Sequence, residues 1–380
     1  MTTAQQTLLQ LLAAALHPSI PAPAVSEELW PEIKAELAAQ TVLPLVQAEN
    51  LFSGDKTEAI IAVGTNVGSF HRLMQTETAV VSLLSPVFPV VLKGAAAAQY
   101  YPHPEYRQMG DIDLLVPPEN YDAAFSLLEQ NGFRHLPQEG YERHASFRAE
   151  SGVEVELHRY FTDSPKRKLD QRIFREIRRA EKRLVCGYPV PVLPDETNGL
   201  VLLEHIHHHL SGGLGLRQIV DWMKFAEAVL TDEKAWEDYR QGANAVGLGR
   251  LLEAVALLCR NYLGFRPAFP CEGDEETAKE LMEYILDKGN FGKKQERISH
   301  KTVTIVHAFR SPAALFSYLQ TSGLFHWKAA RNHKLLRPFA WIYQIGHLLC
   351  KGIGRKASPE TFINEFKTGG REAKLLKKLE

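Results

Sequence analysis

The chain has 380 residues, 45% of them hydrophobic and 23% charged, with a formal net charge of −1. That composition excludes a disordered or fibrous protein and assigns no partner through global charge, while the length exceeds what one core usually organises, so more than one domain is expected. The cysteines, Cys186, Cys259, Cys271 and Cys350, show no CxxC spacing; this argues against a zinc site or a disulfide scaffold and fits a reducing cytoplasm.

The N-terminal stretch MTTAQQTLLQLLAAALHPSIPAP lacks the basic region of a secretory signal, and its apolar residues recur at helical spacing, which predicts an amphipathic helix. Helical periodicity continues to about residue 85, broken by PSIPAPA and by Ser53-Gly54-Asp55. The texture then changes. Residues 87–92, VFPVVL, form a short β-branched run, and Lys93-Gly94 ends it just before the helix formers Ala95 to Ala98. After the loop Tyr100 to Pro104, DIDLLV (111–116) predicts a second strand stopped by Pro117-Pro118, and Glu119 to Gln130 a helix closed by Asn131-Gly132. Residues 143–149 and 152–158 predict an antiparallel pair turning at Ser151-Gly152. From about Asp195 the helical period returns in VLLEHIHHHL, QIVDWMKFAEAVL and RLLEAVALLCRNYL. Three regions follow: helical over 1–85, mixed α/β over 86–194 and helical over 195–380. No repeat or low-complexity tract is present. No stretch reaches the roughly 18 uninterrupted apolar residues of a spanning helix; the nearest, Pro338 to Gly352, is broken by Gln344 and His347, so no membrane role is expected.

Alternate residues of a strand share a face, so Asp111 and Asp113 project together while Ile112 and Leu114 pack on the other side. Burying unpaired carboxylates is costly, and such a pair asks for a cation. The later strand Gly152 to His158 repeats the pattern, with Glu154, Glu156 and His158 opposite Val153, Val155 and Leu157. Carboxylates converging from two strands repel unless divalent metal neutralises them, and Mg²⁺ favours oxygen ligands shared with phosphates. Upstream, Gly94 lets backbone approach a phosphate closely at a helix start, with Lys93 adding a point charge.

Leu92-Lys93-Gly94-Ala95-Ala96-Ala97, Tyr101-Pro102-His103-Pro104, Arg107 to Val116 and Glu156-Leu157-His158 together resemble the uncharacterised nucleotidyltransferase family of the polymerase-β-like nucleotidyltransferase superfamily, over about residues 80–230. The resemblance implies an α+β fold: a small mixed β-sheet nucleotidyltransferase core flanked by helices, with N-terminal helices and a C-terminal all-helical domain. It implies Gly94 for the triphosphate of an NTP such as ATP. It also implies one or two Mg²⁺ ions on Asp111 and Asp113, with Glu156 as third carboxylate. Glu154 shares the face of Glu156 and competes for that role. Here the turn is Lys93-Gly94-Ala95 where the superfamily has Gly-Gly or Gly-Ser, and Gly94 and Asp111 lie 111 − 94 = 17 positions apart, a longer gap than usual. The expected activity is transfer of an NMP from an NTP to an unidentified acceptor hydroxyl with pyrophosphate release. A binding protein without turnover on the same fold is the alternative, and a metal-dependent phosphohydrolase a third reading.

Arg107 is placed to clamp a β- or γ-phosphate bidentately. His158 can orient a metal-bound carboxylate or be a satisfied structural histidine. His205 and His209 have a metal-compatible helical spacing, yet no HExxH pattern is present and Gly212-Gly213 suggests a helix end. Arg217 and Asp221, four apart on a helix, either pair with each other or face the cleft, and pairing is the reading preferred. Between Lys166 and Arg183 nine basic residues meet three acidic ones; with Phe174 the only aromatic, the stripe reads as a solvated helix face rather than a nucleic-acid platform.

Overall fold

The computed structural model describes residues 1–290 apart from 50, 52–55, 138–142, 163, 165–166 and 211, and beyond them 316, 319–320, 323–324, 327, 329–330, 333–353 and 374–379. The turn expected at Ser53-Gly54-Asp55 and the first basic residue of the stripe, Lys166, lie outside the described residues. Residues 1–294, joined by 379 and 380, form one compact unit, and residues 295–378 a second. We keep the limits near 85 and 194 as a proposed subdivision of the first unit by texture.

The first unit begins with α1 (Thr3–Leu16), started by a reciprocal capping box in which the Thr2 hydroxyl accepts from the Gln5 amide and the Gln5 side chain accepts from the Thr2 amide. Helices α2 (Trp30–Ala39), α3 (Leu43–Ala48) and α4 (Lys56–Leu83) follow. Then come β1 (Val90–Leu92), α5 (Gly94–Ala98), β2 (Asp111–Leu115), α6 (Tyr121–Gln130), β3 (Arg134–Leu136), β4 (His144–Arg148) and β5 (Glu154–His158). Helix α7 (Lys168–Glu176) and the hairpin β6 (Glu181–Val185) and β7 (Tyr188–Val192) lead to helices α8 (Asp195–His209), α9 (Leu216–Val229), α10 (Glu233–Val246), α11 (Gly249–Tyr262) and α12 (Glu275–Lys288). The architecture is α+β, with helices before and after a small mixed sheet. In the second unit a 3₁₀ segment (Lys334–Phe339) runs into α13 (Ala340–Ile353). Among the described residues no helix is long and apolar enough to cross a membrane.

The main sheet has the order β1-β2-β5-β4-β3. Strand β2 pairs antiparallel with β1 and parallel with β5, while β4 pairs antiparallel with both β5 and β3. Strand β1 is shorter than VFPVVL suggested: Val87 belongs to a 3₁₀ turn and Phe88 is left-handed (φ 58°), so extension starts only at Val90. The antiparallel pair turning at Ser151-Gly152 is present as β4 and β5, with Gly152 at φ 83°.

The strand alternation sorts the two faces. Ile112, Leu114, Val155, Leu157 and Phe147 share a buried core with Phe70, Leu73, Met74, Val80 and Val81 of α4 and with Tyr121, Ala124 and Leu128 of α6. The acidic residues of β2 and β5 are left on the opposite face. The N-terminal helices reach across the chain to the C-terminal ones: the Gln40 side chain donates to Ile285 O (2.9 Å) and accepts from Leu216 N (3.0 Å), and Gln5 donates to Leu286 O (3.4 Å).

Candidate active site

The parallel register of β2 and β5 sets Asp113 directly beside Glu156 and Asp111 beside Glu154. Carboxylate oxygens of Asp111, Asp113 and Glu156 lie within 4.8 Å of one another. Glu154 turns away to pair with Arg148 of β4 (3.3 Å). The three convergent acids line a cavity of about 180 Å³ together with Lys93, Gly94, Arg107, His144, His158, His205, His209, Arg143 and Arg217.

The turn before the site is strained backbone. Lys93 sits at φ 56° and Gly94 at φ 36°, a region that costs a non-glycine residue on the order of 1–3 kcal/mol. A Cβ on Gly94 would meet only ordinary contacts (3.9 Å to Asp111 O), so glycine is required there for its φ rather than for space. The helix that follows, α5, has only five residues and carries little macrodipole, less than the expectation of a phosphate-binding helix start supposed.

Lys93 is also placed differently from the expectation of a phosphate-facing charge: its Nζ lies 2.6 Å from Asp113 Oδ1. Burial alone would depress the lysine, but Asp113, Asp111 and Glu156 outweigh it and hold the ammonium above its ordinary value. His158, buried, donates from Nε2 to Asp113 Oδ1 (2.9 Å) and faces Glu156 Oε2 at 3.4 Å. An ionised carboxylate only accepts, so that nitrogen carries the proton. Burial lowers the pKa of His158, and the hydrogen bonds to Asp113 and Glu156 more than reverse the effect. Burial would raise Asp113 itself, yet Lys93 and His158 hold it well below the usual carboxylate range.

Asp111 shows that this neutralisation is incomplete. The Asp113 charge, followed by burial, raises it to about 6 despite Lys93. A carboxylate still titrating so high beside an ammonium fits a site short of positive charge, and an all-oxygen set from Asp111, Asp113 and Glu156 suits Mg²⁺. Behind it, Glu77 of α4 is buried, its Oε1 has no partner, and burial together with Asp113 raises it to about 8.

The arginines exchange the parts expected of them. Arg107 is buried and binds Asp221 through two bonds, Nε to Oδ1 (2.6 Å) and Nη2 to Oδ2 (2.7 Å), and Tyr101 adds its hydroxyl to Asp221 Oδ1 (2.7 Å). The guanidinium edge that would clamp a phosphate is therefore occupied, although the residue lines the cavity. Asp221 is correspondingly not the partner of Arg217. Arg217 donates from Nη1 to Gln108 O (2.8 Å), its Nε has no partner, and burial and the charge of Arg107 lower its pKa. Arg143 contacts the His208 ring and Phe161. Among the described residues neither Arg143 nor Arg217 forms an ion pair with a carboxylate.

His205 and His209, which had a zinc-compatible spacing, pack edge to face (4.6 Å between centroids) and line the same cavity. Burial keeps both neutral, pulling His209 down to about 3 and His205 well below its ordinary value. The groups whose ligand atoms converge do not include them. Three basic residues of the stripe form ion pairs: Arg172 with Glu196 (2.9 Å), Arg178 with Glu119 (2.8 Å) and Arg183 with Asp195 (2.8 Å).

The sequence reading missed His144 and Glu77. The turn at Ser151-Gly152 sets a register in which His144 opposes His158, so counting back from it would have found His144. Glu77 occupies a core position in the spacing Phe70, Leu73, Met74, Glu77, Val80, Val81, which marks it as a buried acid.

Residues 85–264 match the model of a family described as uncharacterised nucleotidyltransferase. The matched span takes in the motifs around Gly94 and Asp111 that carry the resemblance. Among solved structures, the chain is similar to an antigenic nucleotidyltransferase-like protein from Paracoccidioides brasiliensis, at 15% identity over 52% of this chain and 94% of that one, with a TM-score of 0.33, too slight a likeness to carry an argument. No curated protein matches the chain.

Proposed function

We propose that the protein is a Mg²⁺-dependent nucleotidyltransferase that moves an NMP from an NTP, ATP among them, to an acceptor hydroxyl with release of pyrophosphate. Family and fold support nucleotidyl transfer in general. The observation that carries the finer reading is the meeting of Asp111, Asp113 and Glu156 within 4.8 Å, in a cavity also lined by the carboxylate-free arginines Arg143 and Arg217.

Asp111, Asp113 and Glu156 would hold one or two Mg²⁺ ions, whose charge lowers the pKa of an acceptor hydroxyl and stabilises the leaving pyrophosphate. Arg217, in place of Arg107, binds β- and γ-phosphate oxygens through its unpartnered Nε edge, and Arg143 adds a second cation. The Gly94 turn brings backbone to the phosphates. Lys93 balances Asp113 and, with His158, keeps that carboxylate ionised and oriented. Glu156, midway along the interior strand β5 and lining the cavity, accepts the proton of the attacking hydroxyl at its carboxylate. His205 and His209 are neutral and shape the wall without adding charge. A cytoplasmic setting agrees with the free cysteines.

The competing reading, a nucleotide-binding protein without turnover, draws on the Lys93–Asp113 pair, which already neutralises one metal ligand. Incubation with α-labelled NTPs, Mg²⁺ and cell extract separates the two. Label transfer and pyrophosphate are expected from the wild type and loss of both from Asp111→Asn/Asp113→Asn; equal labelling by the two proteins would overturn the assignment, and phosphate release without label transfer would indicate a phosphohydrolase.

A further inference from the structure

The same cavity holds a second convergence of metal-ligating atoms. His144, Glu156 and His158 bring one ligand atom each to within 4.8 Å. The two oxygens of Glu156 face different imidazoles: Oε1 lies 3.3 Å from His144 Nε2, and Oε2 lies 3.4 Å from His158 Nε2. Ligands bound tetrahedrally at about 2.0–2.1 Å stand about 3.3–3.4 Å apart; each imidazole is at that distance from one Glu156 oxygen, and the three ligand atoms lie within 4.8 Å as a set. Both histidine side chains are largely buried, at 9% and 1% exposure, so little ordering remains to be done. All three residues line the cavity, which gives an ion a way in.

The two clusters differ in chemistry and share one residue. Asp111, Asp113 and Glu156 offer oxygen only, the set favoured by Mg²⁺. Imidazole donors favour later first-row divalent ions, whose affinity for nitrogen-bearing sites rises along the series from Mn²⁺. We propose that His144, Glu156 and His158 form a second, nitrogen-bearing metal position that takes a transition-metal dication of the Mn²⁺ to Zn²⁺ class, bridged through Glu156 to the all-oxygen position. Entry of the ion displaces to solvent the His158 Nε2 proton now donated to Asp113, and the electron pair of that N–H bond becomes the lone pair offered to the metal. Within the proposed transferase the consequence is an asymmetric pair: one ion exchanges freely with Mg²⁺ and the other does not.

Mn²⁺ alone is a sufficient probe, followed by electron paramagnetic resonance on the full chain without nucleotide. Two bound Mn²⁺ per chain are expected. Excess Mg²⁺ should displace one and leave the other, which shows ¹⁴N modulation in its pulsed spectrum. His144→Ala and His144→Gln should lose the nitrogen-coupled ion and keep the exchangeable one, and Asp111→Asn should do the reverse, with circular dichroism confirming that each variant is folded. A single Mn²⁺ fully displaced by Mg²⁺, no nitrogen coupling in the wild type, or coupling unchanged in both His144 variants would each overturn the proposal. These readouts need no turnover, so a chain that binds two unlike ions but transfers nothing would sink the transferase reading alone. A transferase with one oxygen-bound ion would sink only this one.

Discussion

Arg107 and Arg217 face the same cavity, yet substituting them should have opposite consequences because only one has an anionic partner. Arg107→Ala leaves Asp221 buried and uncompensated, a loss on the order of 3–5 kcal/mol when one side of a buried pair is removed, read as an earlier urea midpoint. Arg217→Ala removes a guanidinium that forms no close ion pair with a carboxylate among the described residues, so stability should change little while transfer falls about 10²-fold, the usual effect of losing one donor to developing charge. Steady-state transfer kinetics beside urea melts test both; a destabilised Arg217→Ala with normal transfer would refute the division of roles.

Glu77 produces a pH effect whose sign follows from burial. Its pKa is about 8 in the folded chain, against 4.5 as its ordinary value. The folded state therefore binds more protons than the unfolded one between those values, and this residue's contribution to stability falls as pH rises from about 4.5 towards 8. His144, lowered to about 4 chiefly by burial, works the other way: its penalty is largest in acid and disappears as pH rises towards 6.5. Above pH 6.5 His158, held above its ordinary value by Asp113 and Glu156, adds a decline of the same sign, so the Glu77 share is the difference between wild type and Glu77→Gln. Glu77→Gln should flatten the decline in chemical stability between pH 6.5 and 8; an unchanged slope would mean that the buried acid does not titrate as described.

At the scale of elements, α8 and α9 carry the cavity's helical wall and are joined by the loop before Leu216. They approach tightly at Gly199, where an added Cβ would collide with the Phe225 ring. Phe225 is fully buried and packs edge to face with Tyr100, so it has no space to yield. Gly199→Ala should therefore destabilise by about 1–3 kcal/mol, as overpacking usually does, although alanine is the better helix former. Thermal melting decides it: a melting temperature at or above that of the wild type would show that the helices can separate at no cost. The strands were legible because β5 and the start of β2 alternate and Gly152 marks the turn from β4 into β5; β1 was overdrawn because a left-handed Phe88 has no sequence signal comparable to glycine.

Across the whole molecule, residues far apart in sequence hold the site. Gln40, buried at the end of α2, accepts from Leu216 N at the start of α9 and donates to Ile285 O of α12. Arg217 is the next residue along α9. Gln40→Leu takes the acceptor from the buried Leu216 amide, at about 1–3 kcal/mol, while Ile285 O keeps its bond from Gly289 N, and should weaken NTP binding although residue 40 touches nothing in the cavity. An NTP affinity equal to wild type, measured at a temperature where both proteins are folded, would show that α9 keeps its place without this bond.

Local order and the acidic pair were determined by the sequence alone. The two-residue period of DIDL and VEVEL puts the acids on one face and Ile112, Leu114, Val153, Val155 and Leu157 on the other, because a side chain's face on a strand depends only on parity. Parity could not choose between Glu154 and Glu156, nor decide which arginine would meet Asp221. Those outcomes rest on which strand lies beside which and on how α9 docks, and both are set by burial summed over many distant residues. The parallel register of β2 with β5 brings Glu156 to Asp113, the antiparallel neighbour β4 draws Glu154 away to Arg148, and the docking of α9 delivers Asp221 to Arg107 and leaves Arg217 facing the cavity.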